Sequence, residues 1–282
     1  MSRRKVSLVA AAVMIALSAV AADAHDLFLR PRDFVVRAGA EVLVRVLNGT
    51  FTSSESAVTR DRLRDLTLVG PAGLSHPDRA GWVDSAKESQ WRVVLAQPGT
   101  YVLGASLDPK TIRLTGTQFN GYLRDEGLPD ILAARKAARQ LGDPAHERYA
   151  KHVKALVRAR GDGPAASAAS DTAYRSMLGY PAELVPLDDP YTLAAGGTLR
   201  VRAIAHGRPL ANHIVQSGGR TTSGARIAQR ETRTDSGGIA RIRLATRGTW
   251  YVKFIHMQPV PASAGDSVNY ESTWATLTFA RP

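Results

Sequence analysis

The sequence predicts a mostly β protein, with two tandem immunoglobulin-like or transthyretin-like β-sandwich domains and a helical hairpin inserted between them. Three observations predict it. Apolar and polar residues alternate over short runs that end in Gly, Pro, Asn or Asp, the pattern of half-buried strands. Turn-and-strand segments recur ~150 residues apart in the same order, as a tandem pair would require. Between them, from about Phe119 to Arg160, β-branched residues thin out and Ala, Leu, Arg and Lys take over, which favours helix.

In chain order, residues 1–24 read as an export signal. Arg3-Arg4-Lys5 precede an apolar run from Val6 to Val20, and Ala22-Asp23-Ala24 supply the small-residue cleavage pattern. The run is shorter than the roughly 20 residues that span a bilayer, so cleavage after Ala24 and a periplasmic location are expected. The mature chain would then begin at His25. Absence of cysteine excludes a disulfide framework, so stability must come from packed apolar area.

The first predicted domain spans 25–117. Ala38-Gly39 is a turn that opens the run Val42-Leu43-Val44-Arg45-Val46. Thr67-Leu68-Val69 ends at Gly70-Pro71, and Trp91-Arg92-Val93-Val94-Leu95 ends at Pro98-Gly99. The segment 118–182 is predicted as a helical hairpin and linker. Pro129 opens one helix that continues to Gly142, Pro144 opens a second through His146, His152 and Leu156, and Gly161 to Ser170 read as a flexible connection. The second domain spans 183–282 and repeats the first. Ala195-Gly196 leads into Leu199-Arg200-Val201, and Leu244-Ala245-Thr246-Arg247-Gly248-Thr249-Trp250-Tyr251 matches Leu95-Ala96-Gln97-Pro98-Gly99-Thr100-Tyr101-Val102.

The formal charge is +12. Arginines sit at alternate strand positions, as in Arg200-Val201-Arg202 and Arg241-Ile242-Arg243, which describes a solvated sheet face. Without a basic cluster, nucleic acid is not an expected partner. No G-x-S-x-G motif or cysteine nucleophile is present, and the paired glycines Gly218-Gly219 and Gly237-Gly238 read as hairpin turns, so no enzyme activity is expected.

Seven histidines remain as candidate donors. An N-terminal His25 would offer an α-amine and a ring nitrogen to one ion. In the closing hairpin, Trp250, Val252, Phe254 and His256 share one strand face and Tyr251, Lys253, Ile255 and Met257 the other. Matching apolar faces with Glu271, Thr273, Ala275, Leu277 and Phe279 sets Phe254 opposite Thr273 and His256 opposite Glu271. That pair is either a satisfied core pair or two ligands of one metal. His146 and His152, six apart on the predicted second helix, read as helix surface. His76, His206 and His213 read as turn or edge residues, with His213 in reserve as a ligand.

The residues also resemble a family. His25-Asp26-Leu27-Phe28-Leu29-Arg30-Pro31, Phe119-Asn120-Gly121-Tyr122-Leu123-Arg124, Leu184-Val185-Pro186 with Asp189-Pro190-Tyr191, and the tail with His256-Met257 and Tyr270-Glu271-Ser272 resemble domain-of-unknown-function family 4198. Its members are grouped as NikM-like periplasmic proteins linked to nickel and cobalt uptake. The resemblance implies metal handling and singles out His25, His256 and Glu271. The stretch Phe51-Thr52-Ser53-Ser54-Glu55 departs from the more acidic early loop expected of the family, so no ligand is assigned there.

The expected function is therefore that of a non-enzymatic periplasmic accessory protein. It would hold nickel, cobalt or copper between His25 and the His256–Glu271 hairpin, with a membrane transporter or another envelope protein as partner. Two rival readings are a structural or partner-binding envelope module without metal, and a copper oxygenase built on the terminal histidine.

Overall fold

The computed structural model describes residues 25–161, 172–261 and 267–282, and the expected signal and nearly all of the expected linker lie outside them. The described chain is mostly β, with two α-helices, Gly116–Asp125 and Pro129–Ala137. No helix among the described residues is long and apolar enough to cross a membrane.

One ten-stranded sheet runs through both halves of the chain. Its main path is Arg226–Arg233, Ile214–Thr221, Gly248–Pro259, Tyr270–Arg281, Ala145–Arg160, Gly99–Leu107, Leu63–Gly70 and Gly73–Ser75. Two smaller sheets cover it. One is centred on the pair Glu41–Gly49 and Ser89–Val94, with Asp26–Pro31 at its side, and packs Val44 and Trp91 against Leu103, Val153 and Val157 of the long sheet. The other is centred on Thr198–Ala205 with Ala182–Pro186 and Ile239–Arg243, and packs Val201 and Ile242 against Val252, Phe254 and Leu277. Leu156 lies in the second core and its neighbours Ala155 and Val157 in the first, so the small sheets occupy opposite faces of the long one.

The repeated segments form repeated structure. The amide of Gly39 donates to Leu95 O at 2.7 Å and Leu95 donates back to Ala40 O at 3.2 Å. The same pair recurs where Gly196 donates to Leu244 O at 3.2 Å and Leu244 to Gly197 O at 2.9 Å. In each half the chain then crosses at a glycine, Gly99 or Gly248, from a small sheet into the long one. The expected division at 118–182 meets the strand Ala145–Arg160, which joins the two halves.

That strand replaces the helix expected from Pro144 through Leu156. Its pattern misled because both faces are buried, which removes the polar alternation that identifies a strand. Its charges are satisfied from far along the chain: Lys154 pairs with Glu183, and Lys151 donates to His25 O and to Asn48 Oδ1. Helical propensity is a weak preference beside such tertiary partners. The first expected helix does begin at Pro129 but ends at Ala137, short of Gly142. The helix Gly116–Asp125 is fixed by a capping box between Thr115 and Gln118 and buries Phe119 and Leu123 over Ile255, Met257 and Trp274.

The closing hairpin pairs antiparallel as expected, but in a register shifted by two. Phe254 lies opposite Ala275, Val252 opposite Leu277, and His256 opposite Thr273, while Glu271 faces Gln258. A two-residue slip keeps every side chain on its own face, so the apolar pattern cannot distinguish the registers. The observed one pairs all twelve residues of each strand.

Candidate metal-binding cleft

Strand alternation decides which candidate ligands meet. Lys253 projects from the 248–259 strand toward Asp26 and Glu126, with Nζ 2.6 and 2.8 Å from their carboxylates. His256, three residues on, projects from the opposite face. The first strand does return to the closing hairpin, since Thr276 Oγ1 donates to Leu27 O at 2.7 Å and Thr278 Oγ1 to Leu29 O at 2.5 Å. It returns, however, to the Lys253 face. His25 therefore lines a cleft with Asp26, Glu126 and Tyr251, and its Nε2 stands 2.8 Å from Glu55 Oε2. The early loop thus supplies a carboxylate to His25 where none was assigned, and His25 does not join His256 and Glu271.

Those two residues do line a common cleft, of about 160 Å³, and two more histidines join them. The cleft draws His152 from the central strand, His206 from the turn after Thr198–Ala205, His256 from the closing hairpin, and Glu271 and Thr273 from the last strand. His206 and Gly207 both have positive φ, 49° and 75°, and Ala205 pairs with Arg208, so this is a two-residue hairpin turn that lifts the imidazole to the rim. His256 and Glu271 are not a satisfied core pair. Glu271 Oε1 is bonded to Arg148 Nε at 3.1 Å, and His256 faces the cleft with its ring centroid 6.2 Å from that of His206.

His152 forms the floor. It is 2% exposed, its Nδ1 is 2.9 Å from Ser106 Oγ, and its Nε2 has no partner. Thr273 Oγ1, buried in the same cleft, also has none. Two unpartnered polar atoms in one small cavity cost about 1–3 kcal/mol each unless something binds there. Burial, with Arg64 and His206 adding repulsion, pushes the His152 imidazole down to about 3. Burial and then His206 lower His256 as well. Both rings are therefore neutral at ordinary pH, with lone pairs available to a cation.

The donor set is three imidazoles and one carboxylate, which suits a late first-row divalent ion. Among the described residues no three His, Asp or Glu side chains already stand in ligating arrangement. Two imidazoles on one ion hold their centroids about 5 Å apart at a tetrahedral angle, given metal–nitrogen bonds of about 2 Å. Closing the 6.2 Å between His206 and His256 requires about 1 Å of side-chain movement, within reach of an exposed rim residue.

Sequence reasoning named His256 and Glu271, which line one cleft, and passed over His152 and His206, which line it with them. His152, expected on a helix surface, is instead the most buried of the group because its segment is a strand. His206 had one readable signal, its position before Gly207 in a hairpin turn. His213, the reserve ligand, gives its Nε2 to Ile255 O at 2.9 Å, and burial lowers it to about 4. His76 is paired with Asp65 at 2.8 Å, and His146 Nδ1 with Ser267 O at 2.6 Å.

Fold and cleft together define a class: a cysteine-free, β-rich protein with imidazoles gathered on one face of its long sheet. The chain belongs to the family described as Domain of unknown function (DUF4198), which matches residues 22–258. No curated protein matches it. Among solved structures it is similar to a DUF4785 family protein from Legionella pneumophila, at 10% identity and a TM-score of 0.23, over 79% of this chain and 49% of that one. It is also similar to trypsin-activated alpha-2-macroglobulin from Escherichia coli, at 10% identity and a TM-score of 0.22, over 92% of this chain and 16% of the other. The chain thus spans about half of the first and about a sixth of the second, and likeness at this level carries no functional conclusion.

Proposed function

We propose that this protein binds a divalent nickel, cobalt or copper ion in the cleft of His152, His206, His256 and Glu271, and acts as a non-enzymatic metal-handling accessory of the periplasm. The observation that carries the reading is His152: a neutral imidazole, buried and oriented through Nδ1, presents an unpartnered Nε2 to a cavity lined by two further imidazoles and a carboxylate. The resemblance to NikM-like proteins supports uptake as the setting, with a membrane transporter or another envelope protein as the recipient. Export rests on the charged, apolar and small-residue succession of residues 1–24. The tandem immunoglobulin-like reading rests on the repeated turn and sheet-crossing of the two halves.

In this reading His25 is not a ligand. Calorimetric titration of the chain freed of residues 1–24 with each metal salt tests the proposal. A single site is expected, weakened at least about tenfold by His256→Ala and by His152→Ala, and unaffected by one residue added before His25. Absence of binding to the unaltered chain, or alanine variants that bind as tightly as the unaltered chain, overturns it.

A further inference from the structure

On the opposite face of the long sheet, three arginines with no ion pair among the described residues line two adjoining clefts. Arg220 and Arg226 are directly opposed across the 214–221 and 226–233 strands. Like charges in that position repel, and a sequence selected for stability alone would not keep them together. Both line the cleft that begins at His25. Arg30 lines a second cleft that shares Arg220 and Thr52 with the first and has no acidic side chain in its wall. Each cleft is close to 500 Å³, at 480 and 490 Å³.

The charges nearby are already taken. Arg45 is paired with Glu88 at 2.6 Å, and Asp26 and Glu126 are held by Lys253. Arg30 donates to Phe51 O at 3.3 Å and lies 5.0 Å above the Phe51 ring, and Arg220 reaches Gly224 O at 3.4 Å. Those are neutral partners. Among the described residues Arg30, Arg220 and Arg226 form no ion pair. Burial lowers the Arg30 guanidinium, with Arg45 and Arg220 adding repulsion, so an anion placed among these groups would relieve a real excess of positive charge.

We propose that Arg30, Arg220 and Arg226 form a binding site for a tetrahedral phosphate-type oxyanion, with the hydroxyls of Thr52 and Thr249 as further donors. Guanidinium forks match two oxygens of such a group at once, and the three come from three strands that border the adjoining clefts, with Arg220 shared by both. The site is independent of the metal cleft, from which the long sheet separates it. The oxyanion is either free or carried on a headgroup at a membrane surface, and one experiment distinguishes the sources.

The protein is titrated at low ionic strength with inorganic phosphate, and separately with vesicles of phosphatidylcholine alone or with phosphatidic acid. Binding of phosphate and not of vesicles supports a free oxyanion; binding of phosphatidic-acid vesicles, competed by phosphate, supports a headgroup. In either case R220Q/R226Q is expected to lose at least about tenfold in affinity. Its thermal midpoint in phosphate-free buffer is expected to be no lower than that of the unaltered chain, since opposed charges have been removed. Should the double variant not fold, Arg226→Gln alone, on the exposed edge strand, carries the test. The proposal is overturned if the unaltered protein binds neither phosphate nor phosphatidic-acid vesicles, or if the glutamine variant binds them equally.

Discussion

Ser106 Oγ lies 2.9 Å from Nδ1 of His152, beneath the cleft that the ring's other nitrogen faces. The serine comes from the Gly99–Leu107 strand and the histidine from the Ala145–Arg160 strand, so two neighbours in the long sheet fix one imidazole. In the tautomer whose Nδ1–H donates to the hydroxyl, the lone pair sits on Nε2, the ring nitrogen that has no partner. Removing the hydroxyl frees the ring to rotate and to change tautomer. Ser106→Ala is therefore expected to weaken metal binding by about tenfold while leaving the fold intact. Calorimetric titration beside a thermal scan checks it; unchanged affinity would remove His152 from the donor set.

The Lys253 ammonium, buried between Asp26 and Glu126, ties the first strand and the first helix to the closing hairpin. Burial disfavours its charge, but the two carboxylates more than compensate and raise its pKa. Lys253→Met leaves two half-buried carboxylates without their shared cation, a loss on the order of 3 kcal/mol at neutral pH. Burial and then the neighbouring Asp26 already raise Glu126, and without the lysine that acid binds its proton still more tightly folded than unfolded, so the variant's stability is greatest in acid and falls as pH rises. Denaturant unfolding at pH 5 and pH 8 should show the variant nearest the unaltered chain at pH 5. A deficit equal at both values would mean that lost packing, not charge, dominates.

Much of this was legible in the sequence, and the failures share a cause. The repeated turns Ala38-Gly39 and Ala195-Gly196 and the segments after Leu95 and Leu244 could be read because their pattern is local. The faces of the closing hairpin could be read for the same reason, which is why His256 and Glu271 could be placed on one face. The 145–160 strand could not, because Lys151 and Lys154 are satisfied by His25, Asn48 and Glu183 from distant segments. That misreading hid His152. The misplacement of His25 was more avoidable: Lys253, a charge in an apolar run on the face opposite His256, called for a carboxylate, and Asp26 beside His25 is its partner.

Glu147, buried at 2% exposure, accepts hydrogen bonds from Ser272 Oγ and from Tyr122 Oη, the latter at 3.2 Å. Burial dominates these bonds and pushes its carboxyl up to about 7. The folded state then binds a proton that the unfolded chain releases near its ordinary value of 4.5, so this group's contribution is intact below pH 4.5 and is lost as pH rises toward 7. The loss amounts to roughly 3 kcal/mol when ionisation is complete. Glu147→Gln keeps an acceptor for both hydroxyls and removes the charge. It is expected to raise stability by about 1–3 kcal/mol at pH 8 and to change little at pH 4.5. Chemical denaturation across that range would refute the assignment if the variant's gain were independent of pH.

Gly39 and Gly248 both have positive φ, 81° and 146°, and substitution at each should show how differently the two are used. At Gly39 an added Cβ meets nothing within 4 Å, so Gly39→Ala costs only the backbone preference, about 1 kcal/mol. At Gly248, where the chain crosses into the long sheet, the added atom would stand 2.1 Å from Arg220 O and 2.8 Å from Thr221 Cα, both backbone. Neither can yield without separating the 214–221 and 248–259 strands, whose pairing begins at that contact. Gly248→Ala is therefore expected to cost more than about 3 kcal/mol and to free the edge of the long sheet. Hydrogen exchange supplies the local readout. Protection should fall along Ile214–Thr221 in the Gly248 variant and hold in the Gly39 variant, and equal losses in the two would show that left-handed backbone, not close strand approach, is what each glycine provides.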